Sequence, residues 1–283
     1  MVEAGETSPH LDRKERRQAA AGAPIGAIVI HEIVRDQGEE ELERSTASLA
    51  WSALAAGLSI GFSFLVQATI QGALPDTAWS HLVSGFGYST GFLIVILGRQ
   101  QLFTETTLTA MIPALTRPTL ATALGATRVW VVVLAANVAA TWGFAAMAAL
   151  AHPFSEATMT AMQQIAAHTM DKPFWQTTLL GGSAGWLIGL MVWLLPGAGP
   201  SRPLVIILLT YVVAICQFPH IIAGSTEAAF AVWSGDASVG DYLGRFLLPT
   251  LIGNSLGGTI LAALLNHAPI VERLNAPDPV DRD

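Results

Sequence analysis

The chain has 283 residues, 52% of them hydrophobic and only 12% charged, against about 25% charged in an ordinary soluble domain. Its formal net charge of −7 comes largely from the two ends, so it implies no nucleic-acid partner, and no basic aromatic patch is present. A single cysteine, Cys216, excludes an internal disulfide and any cysteine-rich metal site. The composition predicts an integral membrane protein.

Residues 1–45 are polar overall and form a predicted cytoplasmic N-terminal region. They lack a short apolar core followed by small residues, so no cleavable signal peptide is expected. The apolar run 25–34 is shorter than the roughly 20 residues a span needs, and reads as a cytosolic or interfacial helix. Six membrane spans are then predicted, at about 49–70, 82–115, 128–151, 174–195, 204–233 and 246–265, within a channel domain of residues 46–268. A short surface helix is expected within 154–171, and residues 269–283 form a cytoplasmic tail. Arg13, Lys14, Arg16, Arg17, Arg35, Arg44, Arg117, Arg202, Arg273 and Arg282 fall on one side of a six-span arrangement. That bias places both termini in the cytoplasm.

Two of the spans are interrupted. The second breaks at 98–103, where Gly98 permits unusual backbone angles and Arg99, Gln100 and Gln101 would be costly against lipid. The fifth breaks at 218–224, where Pro219 removes a backbone donor and Gly224 loosens the chain. Short motifs recur in the same order in each half. Ala56-Gly57 through Gly61 answers Ala184-Gly185 through Gly189, Thr104-Glu105 answers Thr226-Glu227, and Asn137 with Thr141 answers Asn254 with Thr259. With three spans per half the second copy must be inverted, and paired broken helices mark a transport site near the midplane. The expected fold is an all-α membrane protein of six helices in inverted three-helix repeats, with helices two and five broken.

His220 is the sharpest candidate, because an ionisable group at a break inside the membrane is a functional hypothesis by default. The structural alternative is a histidine that satisfies carbonyls freed by Pro219. Thr104 follows the first break, where its hydroxyl can meet a passing solute or cap the next helix. Leu102 and Phe103 would either form a water-excluding constriction or simply pack the loop; Tyr88 and Phe92, four apart, share one helix face. Glu105, Glu227, Arg99 and Arg128 read best as ion pairs bracing the breaks. No Walker loop, HExxH or nucleophile with a neighbouring base is present, so no enzyme, metal site or cofactor is expected.

The run Leu97-Gly98-x-x-x-Leu102-Phe103-Thr104-x-x-Thr107, the phrase Phe218-x-His220-x-Ile222-Ala223 and the segment Asn254-x-x-Gly257-Gly258-Thr259 resemble the formate/nitrite transporter family, over residues 45–266. Within it the chain looks closer to a branch marked by Gly98-Arg99-Gln100-Gln101-Leu102-Phe103-Thr104-Glu105 than to the formate-transporting members. The resemblance implies an aquaporin-like fold and a homopentamer in a bacterial inner membrane, each protomer with its own pore. It implies that Leu102, Phe103 and Thr104 form the gating loop and His220 the central pore histidine. Tyr88, Phe92, Ile188 and Val213 fall at its two hydrophobic constrictions. Pro219, Gly224 and Gly185 stand where that family has polar residues, which thins the network around His220. Lys172 lies near the outer mouth, where it would draw anions in. The expected function is passive or proton-coupled passage of a small monovalent anion, such as formate, nitrite or a related short weak acid, with His220 as the candidate for any proton transfer. The alternatives are a pore for a neutral small solute and a closed-pore membrane scaffold or sensor.

Overall fold

Backbone polar groups cannot face lipid unpaired, so a chain this apolar closes its hydrogen bonds within helices. In the structure, a computed structural model in which residues 25–275 are described, those residues form helices and turns alone. Expectations for 1–24 and 276–283, including Arg13, Lys14, Arg16, Arg17 and Arg282, lie outside the described residues.

An amphipathic helix, α1 (Ala27–Glu43), comes first and buries His31, Val34 and Gly38. It is followed by α2 (Thr46–Ala73), capped by the Ser45 hydroxyl, which accepts from Ser48 N at 3.2 Å. Next come α3 (Ser80–Leu97), the short α4 (Phe103–Thr109) and α5 (Met111–Thr116), and the long α6 (Leu120–Ala151). The amphipathic α7 (Glu156–Thr169) occupies the stretch where a surface helix is expected, but packs against α2 on one side. Then follow α8 (Phe174–Ala198), α9 (Arg202–Ile215) and α10 (Ile221–Trp233). The last run, α11 (239–275), is wound as π-helix over Tyr242–Leu247 and Gly257–Leu264.

Five helical runs are long and apolar enough to cross a membrane: Thr46–Ala73, Ser80–Leu97, Leu120–Ala151, Phe174–Ile215 and Val239–Ile270. Phe174–Ile215, at 42 residues, far exceeds the roughly 20 that one crossing needs. It bends after Pro196 at Gly199, whose φ is +49°, and α8 and α9 then pack against each other. α2 packs on α3 and α6, α8 on α11, and α10 on α6. A cluster with Phe92, Leu102, Phe103, Ile188 and Val213 at its centre fills the middle.

Both interruptions are present, and their geometry matches. Before each short helix one residue turns left-handed, Arg99 at φ 52° and Gln217 at φ 50°. The N-cap is then extended, Leu102 at φ −108° and His220 at φ −111°. Gly98 is not the turn: its φ is an ordinary −78°, and glycine is needed there because a Cβ would lie 2.6 Å from Ile94 O. Gly224 likewise sits inside α10, beneath the Phe246 ring.

Candidate functional site

Each break is held by one asparagine. Asn137 on α6 accepts from Phe103 N at 2.9 Å and donates to Ala53 O at 2.7 Å and Gln101 O at 3.0 Å. Asn254 on α11 accepts from Ile221 N at 2.8 Å and donates to Gly181 O and Pro219 O, both at 2.9 Å. Each thus ties the first amide of a short helix, the carbonyl two residues before it, and a neighbouring helix. Small residues at Gly57 and Gly185 let the backbones of Asn137 and Asn254 approach to contact. The sequence marks these asparagines as a recurring motif; their tethering role is visible only in the fold.

These ties aim the first turns of α4 and α10 at each other. Thr104 and His220 meet there, with Oγ1 and Nε2 2.8 Å apart and exposures of 0% and 1%. His220 Nδ1 accepts from Ala223 N at 3.2 Å. A neutral ring therefore carries its proton on Nε2, which donates to Thr104 Oγ1. The threonine hydroxyl proton is left to be given elsewhere. Thr104 does not cap α4; it sits one residue inside, and the capping histidine belongs to the other break. The amides of Thr104 and Ile222, at matched positions, find no acceptor among the described residues. Two helix N-termini with unspent amides give a positive electrostatic end on both sides of the pair.

Apolar rings and branches surround this point. The Phe92 ring meets the His220 ring edge-on at 4.9 Å, and Tyr88 lies 5.2 Å from Phe92. Leu102, Phe103, Ile188 and Val213 belong to the same continuous core, with the Phe103 ring resting edge-on against Trp130 at 5.8 Å. On one side opens a cavity of about 290 Å³ lined by Tyr88, Lys172, Val213, His220, Glu227 and Phe246, among others. On the other a cavity of about 360 Å³ is lined by Glu41, Arg99, Gln100, Gln101 and Glu105. They adjoin opposite ends of α3, at His81 and Leu97, about 24 Å apart along the helix. Phe92, Leu102, Phe103, Thr104 and Ile188 line neither cavity.

The expected ion pairs at the breaks do not form. Glu227 Oε2 accepts from Thr169 Oγ1 at 2.5 Å, and Arg128 donates to Leu42 O at 2.6 Å. Arg99 is exposed and Glu105 Oε1 is buried without a partner among the described residues. For Glu227 and Arg128 a hydroxyl and a carbonyl on adjacent elements take the hydrogen bonds that an ion pair would have used.

The model of the formate/nitrite transporter family matches residues 28–268. The chain belongs to the formate/nitrite transporter family. Membership makes it a membrane transport protein rather than an enzyme. It is 42% identical over 248 residues to the inner membrane protein YfdC of Escherichia coli strain K12, covering 87% of this chain and 80% of that one. It is 23% identical over 245 residues to the uncharacterized transporter YrhG of Bacillus subtilis strain 168, covering 83% and 90%. A solved pentameric formate channel with formate bound superposes with a TM-score of 0.67 at 20% identity, over 81% of this chain and 98% of that chain. An ion channel of the same family gives 0.70 at 18%, over 86% and 96%. At these identities the two structures establish the fold.

Proposed function

We propose that the protein conducts a small monovalent anion of a weak acid, such as formate or nitrite, past the Thr104–His220 pair. The observation that carries this reading is the 2.8 Å contact joining two half-helix N-termini between two opposed cavities. An anion arriving from the His220-lined cavity meets Lys172, then the Thr104 hydroxyl, which is free to donate because Nε2–H supplies its acceptor need. Phe92, Leu102, Phe103 and Ile188 would strip water from a bare charge at large cost. Neutralisation removes that cost. Proton transfer at His220 is the further step. A hydronium proton taken up at Nδ1 from the cavity would release the Ala223 amide and leave water behind. The Nε2 proton passes to Thr104 Oγ1 as the Thr104 hydroxyl proton passes to the anion, and the ring ends as the other neutral tautomer. The neutral acid then crosses and ionises on the far side.

The membrane arrangement is read as six spans in two inverted halves. Splitting the Phe174–Ile215 run at Gly199 gives the sixth crossing. α1 and the end of α11 touch through His31 and His267, which supports an even number of crossings. The matched asparagine ties, left-handed turns and extended N-caps support the repeat. A bacterial inner membrane, cytoplasmic termini, and assembly as a homopentamer complete the reading. Its test is flux of formate and nitrite into proteoliposomes. His220→Ala and Thr104→Val are each expected to slow flux at least tenfold; wild-type rates in both would overturn the assignment.

A further inference from the structure

Three buried acceptor oxygens near one end of the path have no donor among the described residues: Gln100 Oε1, Gln101 Oε1 and Glu105 Oε1. All three residues line the 360 Å³ cavity, and Gln101 is only 8% exposed. Glu41 stands beside them, its Oε2 accepting from Thr109 Oγ1 at 2.6 Å and its Oε1 from Gln101 Nε2 at 3.4 Å. The oxygens of two carboxylates and two amides thus share one space with few protons between them. Buried acceptors in native proteins nearly always find a donor or an ion. Arg44 lies near enough to Glu41 to act on it by charge, but no arginine of the cavity donates a hydrogen bond to the orphaned oxygens. Arg44 donates to Ser48 and Arg202 to Leu195 O, while Arg99 lies exposed.

We propose that this cavity binds a small monovalent cation, alkali metal or ammonium, through Glu41, Gln101 and Glu105, with Gln100 at its edge. Hard oxygen donors suit such ions, and thiolate or imidazole ligands for a transition metal are missing from the cavity lining. No cluster of three His, Cys, Asp or Glu suited to a metal ion occurs among the described residues, which argues against a divalent site rich in carboxylates. Glu105 is next to Thr104, so the bound cation offsets carboxylates that would otherwise repel an anion at this mouth. The site rests on its unpaired oxygens and not on what the pore carries.

The test is binding to the full-length protein in detergent at pH 8. Thermal unfolding is followed as sodium, potassium or ammonium chloride replaces N-methylglucamine chloride at constant ionic strength. A saturable rise in Tm with at least one small cation is expected, and comparing the three salts separates alkali metal from ammonium. Glu105→Gln and Glu41→Gln should each raise the midpoint concentration about tenfold, and Gln101→Glu should lower it. An equal response to N-methylglucamine, or a midpoint unmoved in all three variants, would overturn the site. So would a Tm that responds to pH alone. Because no flux is read, failure here leaves the anion pathway standing, and loss of flux in the pore variants leaves this site standing.

Discussion

Asn137 and Asn254 show how much of the architecture rests on single side chains. Each satisfies one buried amide and two buried carbonyls, and an abandoned buried polar group costs roughly 1–3 kcal/mol. Asn137→Ala and Asn254→Ala are therefore expected to lower stability by several kcal/mol, read as a fall in Tm in detergent. Asn137→Asp keeps the acceptor for Phe103 N and should fall between. His220 and Thr104 were legible in the sequence as polar groups at breaks, but their mutual contact spans 116 positions and no local pattern encodes it. The orphaned oxygens around Gln101 were illegible for the same reason: they depend on where α1 folds back.

Glu41 adds a pH dependence at this scale. Burial, the largest cause, pushes its carboxyl up from 4.5 to about 7 against hydrogen bonds from Thr109 and Gln101. The folded protein thus holds this proton more tightly than the unfolded chain does. The stability it contributes is full below about pH 4.5 and falls as pH rises through about 7. Protection factors in α1, with the intrinsic base-catalysed exchange rate divided out, are expected to fall between pH 5 and 8, and Glu41→Gln should flatten that profile. An unchanged profile in the variant would assign the effect to another group.

At the level of elements, hydropathy located the five long apolar runs among the described residues, because apolar runs of spanning length have few other uses. Where each run ends was harder to read. The turns at Arg99 and Gln217 are left-handed at non-glycine residues, a conformation that sequence assigns to glycine by default. Each is closed by the backbone at the end of the preceding helix, Gln100 N donating to Val95 O at 2.9 Å and Phe218 N to Val213 O at 3.0 Å, a helix-ending pattern that usually takes glycine. Gly199 is different: φ +49° with ψ −127° is a backbone state essentially reserved for glycine. Gly199→Ala should cost about 1–3 kcal/mol and loosen the α8–α9 hairpin, detectable as a lower Tm and faster proteolysis near residue 199. A wild-type Tm would show that the bend is set by Pro196 alone.

For the whole molecule, apolar surface remains to be covered. Trp51, Leu120, Trp175 and Leu179 are 67–75% exposed on one chain, surface that lipid or a second copy of the chain would bury. Crosslinking the detergent-solubilised protein should give a ladder ending at five copies of the 29.8 kDa chain; a ladder ending at two or three would exclude the homopentamer. Two histidines join the first and last described helices. His31 Nε2 and His267 Nδ1 lie 2.9 Å apart in a buried stack, yet 236 positions separate them. That closure makes the covalent order of the helices partly dispensable. A circular permutant with residues 275 and 25 bridged by a short linker, and new termini opened beside Pro153, would keep every helix contact described above. If the six-span proposal holds, such a permutant would also place its ends on the face of the bilayer opposite α1, where a reporter could be attached without touching that helix.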